Sequence, residues 1–133
     1  MYEEPNNSPW GKVQNWNYLC PGVYSVSTAG HGGIMAVADA AKIIFSMSAL
    51  ECAFRYEGFF CFEEDCDAPV ALRELLDKKF YTAPVNGYFK QGEYSDVIDR
   101  SLQEWHPEYW KARQKSMEKT VRSATPKPTR ERG

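Results

Sequence analysis

The sequence predicts an α+β fold, a small antiparallel sheet packed on one face by two to four helices. The first observation is a set of short stretches that alternate in period two between turn signals, such as "VYSVS" (Val23–Ser27) after Pro21-Gly22. The second is that later stretches repeat apolar residues every three or four positions. With 133 residues and 43% apolar composition, we expect one domain over residues 9–121. A flexible N-terminus (1–8) and a disordered basic tail (122–133) would flank it.

Four strands account for the predicted sheet. The stretch 12–19 leaves a turn at Trp10-Gly11 and pairs with 23–27 as a hairpin, because Pro21-Gly22 is a turn signal. Residues 34–37 follow two glycines and form a third strand. The run "FFCF" (59–62) forms a fourth.

Helical spacing predicts a first helix over residues 39–54, with Asp39 as its N-cap and Gly58 beyond its end. Its buried stripe comprises Ala40, Ile43, Ile44, Met47, Leu50 and Phe54.

Three further helices follow. Asp67 caps a helix over 68–79, where Pro69 suits the first turn. Residues 80–94 form a loop, and Ser95 caps a helix that His106-Pro107 interrupts. A charged helix then resumes over 108–121.

The net charge of −2 conceals a strong asymmetry. Residues 1–110 carry eight Lys/Arg against sixteen Asp/Glu, a balance of −8, whereas residues 111–133 carry eight against two, a balance of +6. An acidic body repels phosphate backbones and suits contact with basic protein surfaces. The basic tail allows weak nucleic-acid contact, although a short charged terminus is more often simply solvated.

Targeting and redox signals favour the cytoplasm. Apolar runs are interrupted by charge within a few residues, so no membrane span is predicted, and no signal peptide is visible. The four cysteines lack CxxC spacing, which favours free thiols.

One of the two histidines lies in the stretch "STAGHGGI" (27–34). Glycines on both sides of His31 allow a sharp turn, so a structural turn with a hydrogen-bonded histidine competes with a catalytic one. The stretch lacks the Walker lysine and the Rossmann spacing, which makes phosphate binding improbable.

The segment "FEEDCD" (62–67) concentrates carboxylates and a thiol before a helix, and it has three interpretations. The simplest is a solvated acidic helix entrance with partner-binding residues Glu63, Glu64 and Asp67. An enzyme would instead use Cys66 as nucleophile, His31 as base and Asp65 or Glu64 as orienting carboxylate. That requires strands 23–27 and 59–62 to be neighbours with their C-terminal ends together.

A divalent metal site is the third interpretation. Glu63, Glu64, Asp65 and Asp67 would supply oxygen ligands and His31 a nitrogen, but the spacing does not match an EF-hand. Because adjacent carboxylates cannot all converge on one ion, we expect no metal and no cofactor.

The cluster "EWHPEYW" (104–110) combines aromatic rings with charge, as interface anchors do. Tyr109 and Trp110 are therefore candidate partner-binding residues if they are exposed. The alternative is that Trp105 joins the core and the other rings cover it.

Three stretches together resemble an uncharacterised domain family of phage and plasmid proteins: "SPWGKVQ" (8–14), "PGVYSVSTAGHGGI" (21–34) and "FEEDCD" (62–67). Proteins of that family pair a W-G-x-x-Q entrance with S-V-S-T-x-x-H-G-G and E-E-D-C-D, and occur in mobile-element proteins alongside antirestriction modules. This chain departs from the pattern at Ala68-Pro69, where the family tends to have an aromatic residue.

The resemblance implies a mobile-element context, and with the acidic body it leads to a functional expectation. We expect a small protein that binds and inhibits a host defence component, such as a CRISPR effector or a restriction enzyme. The alternative is a Cys/His-dependent or metal-dependent enzyme built around His31 and the acidic segment.

Overall fold

The structure is a computed structural model that describes residues 2–124, with side chains described through residue 119. It confirms the α+β class. The described strands are β1 (Asn7–Ser8), β2 (Gly11–Lys12), β3 (Asn15–Cys20), β4 (Val23–Ser27), β5 (Gly32–Val37), β6 (Phe54–Tyr56) and β7 (Phe59–Glu63). The described helices are α1 (Ala38–Ile44), α2 (Met47–Cys52), α3 (Ala68–Asp77), α4 (Glu93–Trp105) and α5 (Pro107–Ala124).

Five antiparallel strands form the main sheet in the order β3-β4-β5-β7-β6. The predicted hairpin of β3 and β4 is confirmed. Strand β5 begins two residues earlier than predicted and takes Gly32 and Gly33 into the sheet, where Gly33 pairs with Glu63. The glycines therefore belong to a strand, and the turn before it ends at His31.

The two faces of this sheet are covered differently. On one face Val23, Ile34 and Phe62 pack against helical residues such as Leu75 and Leu102 in the larger core. On the other face Val26, Met35 and Cys61 form a small cluster covered by Trp10 and Val13 from the N-terminal segment. The prediction of helices against one face thus agrees with the main core.

The predicted helix over 39–54 is wrong in extent. Helix α1 ends at Ile44, and Phe45 takes an extended conformation that lets its ring pack 5.2 Å from the ring of Phe62. Ser46 then caps α2 by accepting from Ala49 N, and Ser46 N donates to Glu74 Oε1 at 2.7 Å. A buried ring and a tertiary hydrogen bond therefore divide the helix. Two residues of the predicted stripe consequently face solvent, Ile43 and Met47.

The same region contains a strand that the sequence interpretation missed. Phe54 leaves the predicted stripe and opens β6, which pairs with β7 at the edge of the sheet. Gly58 lies in the turn between the two strands rather than at a helix end.

Two predicted helix caps differ from the observed ones, and a third is at the predicted residue but lacks the expected side-chain bond. Val37 precedes α1, so Asp39 lies inside the helix. Asp67 is the N-cap of α3 without a side-chain capping bond, and Gly92, at φ +87°, rather than Ser95, precedes α4. In the last two cases the side chain binds another helix instead, because long-range partners compete with the local backbone for the same oxygens.

Two charged side chains are buried in the helical layer. Arg73 Nη1 lies 2.7 Å from Asp99 Oδ1 and 2.8 Å from Ser95 Oγ, which joins α3 to α4. Glu74 accepts from Ser46 and from Tyr109, which joins α3 to α2 and α5. These long-range hydrogen bonds of buried charges fix the relative positions of the helices.

Some residues that were assigned to the flexible terminal segments belong to regular secondary structure. Residues 7 and 8, assigned to the flexible N-terminus, pair with Gly11–Lys12 as a short hairpin. Residues 122–124, assigned to the tail, continue α5, and the rest of the predicted disordered tail (125–133) lies outside the described residues. Among residues 2–124, no helix combines the length and apolar character that a membrane crossing requires.

Candidate functional site

Three separate sequence stretches meet at one corner of the main sheet. Because β5 and β7 are antiparallel, the start of β5 lies beside the end of β7, and the turn containing His31 faces the acidic segment that follows Glu63. Trp10 reaches the same place from the N-terminal segment. We call this group (Trp10, Thr28, His31–Gly33 and Glu63–Cys66) the HGG corner.

The strand arrangement that the enzyme interpretation required is not the observed one. Strands 23–27 and 59–63 are separated by β5 and do not pair. His31 nevertheless approaches the acidic segment, because it precedes β5 and β5 itself pairs with β7.

The position of His31 is fixed by a tight turn. Thr28 N donates to the carbonyl of His31 at 2.8 Å, and Thr28 Oγ1 lies 2.7 Å from that oxygen. His31 N donates back to Thr28 Oγ1 at 3.2 Å. A threonine hydroxyl that bonds its neighbouring backbone stabilises such turns. The backbone of the turn is therefore held while the imidazole remains available.

Close packing explains why position 33 is a glycine. A methyl group at Gly33 would lie 2.3 Å from the carbonyl oxygen of Phe62 and 2.5 Å from Trp10 Cη2. The indole of Trp10 therefore lies directly on the strand backbone. The close approach of the indole, and not the backbone conformation, is what requires glycine at position 33, since Gly33 has no positive φ.

The imidazole of His31 faces two carboxylates. Its Nδ1 lies 3.6 Å from Glu63 Oε2 and 3.7 Å from Glu64 Oε1, beyond the range of a strong hydrogen bond. The His31 side chain is 57% exposed and that of Glu64 49% exposed. The corner is thus an open, negatively charged surface rather than an enclosed catalytic pocket.

Glu63 is the best-anchored member of the corner. Its Oε1 accepts from Asp65 N at 3.1 Å and from Cys66 Sγ at 3.5 Å, which leaves Oε2 toward His31. These local bonds fold the acidic segment back on the end of β7.

Cys66 is poorly suited to be a nucleophile. Burial, with the nearby charges of Asp67 and Glu63, raises the pKa of its thiol to about 11, and the thiol donates to Glu63. Among the described hydrogen bonds, none joins it to His31. The reactive form of a cysteine is the thiolate, so this environment disfavours the reaction that the enzyme interpretation assigned to it.

Three side chains of the HGG corner together form a donor set that suits a divalent cation. One ligand atom from each of His31, Glu63 and Asp65 lies within 4.8 Å of the others. Imidazole nitrogen and carboxylate oxygen together suit Mn²⁺, Zn²⁺ and similar ions. Asp67 does not belong to this group, because its carboxylate faces another residue.

That partner is the second histidine of the chain. His106 Nε2 lies 2.9 Å from Asp67 Oδ1, and both side chains are largely buried between the start of α3 and the α4–α5 junction. The Asp67 carboxylate is thus engaged within the fold, and its assignment as a partner-binding residue stays a prediction. The sequence treated His106 only as part of a helix-ending turn and missed the pair.

Tyr109 and Trp110 do not form the exposed anchor that the sequence interpretation required. Tyr109 is 3% exposed and donates to Glu74 Oε2 at 2.6 Å, so it belongs to the core. Trp110 is half-buried, and the guanidinium of Arg113 lies 5.2 Å from the centre of its ring. Trp105, the expected core member, is the exposed one at this junction.

A second surface, which the sequence interpretation did not single out, lies beside edge strand β3. Trp16, Tyr18 and Tyr24 meet there in edge-to-face contacts with ring centres 5.4 Å and 6.4 Å apart. The alternation of aromatic residues in "NWNYL" was its sequence signal.

A family model described as "Domain of unknown function (DUF7007)" matches residues 3–131. No curated protein and no solved structure matches the chain.

Proposed function

The chain belongs to the DUF7007 family of unknown function, and on that premise we propose that it is a phage or mobile-element protein that binds and inhibits a host defence component. The inhibited component would be a CRISPR effector or a restriction enzyme in the host cytoplasm. Binding would be stoichiometric, with the carboxylates of the HGG corner as the central contact.

The observation that carries this proposal is an unbalanced negative charge. Glu63, Glu64 and Asp65 lie side by side, and no Lys or Arg described in residues 2–119 forms an ion pair with any of them. In the helical layer, by contrast, Glu74, Asp77 and Asp99 are paired with Arg or Lys, and Asp67 is paired with His106. Carboxylates without a Lys or Arg partner on an exposed corner attract a basic surface.

Nucleases and nucleic-acid-binding effectors present such basic surfaces, because they hold phosphate backbones. An acidic protein surface competes for the same Lys and Arg side chains, and electrostatic attraction also speeds the encounter. The overall balance of −8 over residues 1–110 acts in the same direction. These features support an inhibitor better than a nucleic-acid-binding protein.

A charge reversal tests the proposal. In cells that carry a restriction or CRISPR system, Glu64→Lys should abolish protection of invading DNA, whereas Glu104→Lys, the same change on exposed α4, should leave it intact. Purified wild-type protein should co-elute with the defence component in gel filtration, and Glu64→Lys should weaken that complex at least tenfold. Protection by a well-folded Glu64→Lys equal to that of wild type would contradict the role of the corner.

The second candidate function is metal-dependent, and the convergence of His31, Glu63 and Asp65 favours it. Here the ion would be the functional group and the carboxylates its ligands. Titration calorimetry with Mn²⁺ or Zn²⁺ distinguishes the two: a 1:1 site lost in His31→Ala supports the metal. Inhibition that persists in His31→Ala and in excess chelator leaves the acidic contact as the explanation.

A further inference from the structure

The groove beside β3 is rich in aromatic rings, which belong to four of its seven lining residues. It has a volume of about 420 Å³ and is bounded by the N-terminal segment on one side and by the edge strand on the other. Its principal lining residues are Tyr2, Glu4, Trp16, Tyr18, Pro21 and Tyr24. Trp16 and Tyr18 remain substantially exposed although they lie on the sheet surface.

The floor of the groove is closely packed. Gly22, at φ +83°, closes the β3–β4 turn, and a methyl group there would lie 2.6 Å from Ala40 Cβ and 3.2 Å from the ring of Tyr2. The start of α1 therefore supports the turn from beneath, and Tyr2 packs over it. Trp16 and Tyr18 each pack edge to face against Tyr24, so a ligand meets a preformed surface.

The charge inside the groove is negative. Glu4 is its one charged lining residue among the described side chains. Burial raises the pKa of the Tyr24 phenol, and the charge of Glu4 raises it further, so the carboxylate is electrostatically coupled to the rings.

Aromatic rings with a carboxylate and no lining cation select two kinds of group. The faces of Trp and Tyr attract Lys and Arg side chains through cation–π interaction. Grooves of this composition also bind proline-rich segments, whose extended conformation presents flat rings to aromatic side chains. A segment that alternates prolines with basic residues satisfies both requirements.

The chain itself carries one such segment. Residues 125–133 read "TPKPTRERG", with prolines at 126 and 128 and basic residues at 127, 130 and 132. We propose that this segment of the same chain occupies the β3 groove, with its prolines on the aromatic rings and its basic side chains toward Glu4. The groove would thus be an intramolecular docking site that an external basic segment can enter only by displacement.

The length of the chain permits this contact. Ser116 and Met117 of α5 share a cavity with Ser46 and Lys78, and the Lys78 ammonium donates to the carbonyl of Ile44 at the end of α1. The groove lies at the other end of α1, about 10 Å away for a helix of seven residues. The remaining seven residues of α5 after Met117 add about 10 Å to this distance. Residues 125–133, nine in number, could span about 28 Å if extended, which exceeds the combined distance of about 20 Å.

The test uses the full chain labelled with 5-fluorotryptophan, in which Trp16→Phe identifies the resonance of Trp16. Reversal of the tail charges (Lys127→Glu, Arg130→Glu, Arg132→Glu) should shift that resonance. The same number of reversals on the exposed face of α5 (Lys111→Glu, Lys115→Glu, Lys119→Glu) is the matched control and should not shift it.

A synthetic peptide of residues 123–133 should then bind the tail-reversed chain at least tenfold more tightly than wild type, because the wild-type segment competes with it. Tyr18→Ala in the tail-reversed chain should abolish peptide binding, whereas Tyr88→Ala, a change at an exposed tyrosine outside the groove, should not.

Three results would overturn the proposal. A Trp16 resonance that is identical in all three chains would mean that the segment does not reach the groove. Equal peptide affinity for wild type and the tail-reversed chain would mean that the groove is open to an external partner. A wild-type Trp16 shift that depends on protein concentration would assign the occupant to a second copy.

Discussion

Replacing Tyr109 with phenylalanine removes one hydroxyl from the centre of the contact between α3 and α5. That hydroxyl donates to Glu74 Oε2 at 2.6 Å, and both residues are buried. Burial and the adjacent Glu74 carboxylate raise the pKa of the Tyr109 phenol strongly, so the phenol stays protonated and remains a donor throughout the physiological range.

The expected loss of unfolding free energy is about 2 kcal/mol. A hydrogen bond to a charged group contributes about 1.5 to 3 kcal/mol, and its removal leaves a buried carboxylate oxygen with fewer partners. The loss stays within this range because Ser46 N, Ser46 Oγ and Lys78 Nζ still bind Glu74. With an unfolding entropy of about 2.1 cal/mol/K per residue, the midpoint of thermal unfolding should fall by about 7 °C.

Urea denaturation followed by circular dichroism measures this change. Tyr88→Phe is the control, because Tyr88 is 90% exposed and a surface substitution changes stability by less than about 0.5 kcal/mol. A loss below about 0.5 kcal/mol in Tyr109→Phe would refute the inference that this hydroxyl joins α5 to the core.

The remaining predictions concern the HGG corner and the buried thiols. Gly33→Ala should lower the free energy of unfolding by about 1 to 3 kcal/mol and change the fluorescence of Trp10, since the added methyl overlaps the Phe62 carbonyl and the indole. Gly30→Ala is the control and should be nearly neutral in the same denaturation assay, because position 30 has open space around it. At pH 8 the Cys66 thiol, with a pKa of about 11, should react with a disulfide reagent about tenfold more slowly than a thiol of pKa 9, because a thiolate fraction about 100-fold smaller is partly offset by greater nucleophilicity. A rate equal to that of a free thiol would contradict this. Burial raises the pKa of the Cys61 thiol from 9.0 to about 12, so this thiol ionises at lower pH in the unfolded chain than in the folded one. The stability that the protonated Cys61 thiol contributes is therefore complete below pH 9. The free energy of unfolding should fall by about 1.4 kcal/mol per pH unit between pH 9 and 12. Cys61→Ala should show a shallower loss over that interval in urea titrations at each pH.

Local patterns predicted much of the sheet correctly. The alternation in "VYSVS" and the turn at Pro21-Gly22 were sufficient for the β3–β4 hairpin, because side-chain alternation and turn chemistry are properties of neighbouring residues. The break at His106-Pro107 was also predicted, since proline restricts the residue before it.

The errors arose where a distant partner overrode the local pattern. The spacing over 39–54 is helical, yet Phe45 packs on Phe62 and Ser46 binds Glu74, and these contacts end α1 at Ile44. Tyr109 looked like an interface residue because of the charges around it, but its hydroxyl has a buried acceptor from another helix.

The sequence by itself determined the α+β class, the hairpin, the position of the acidic segment and the candidate residues His31, Glu63, Glu64 and Asp65. Only the tertiary structure decided which of them meet. The antiparallel pairing of β5 with β7 brings His31 to Glu63 and Glu64, while Asp67 turns to His106. The physical reason is that strand order and long-range hydrogen bonds join residues more than thirty positions apart, whereas sequence periodicity reports only on residues a few positions apart.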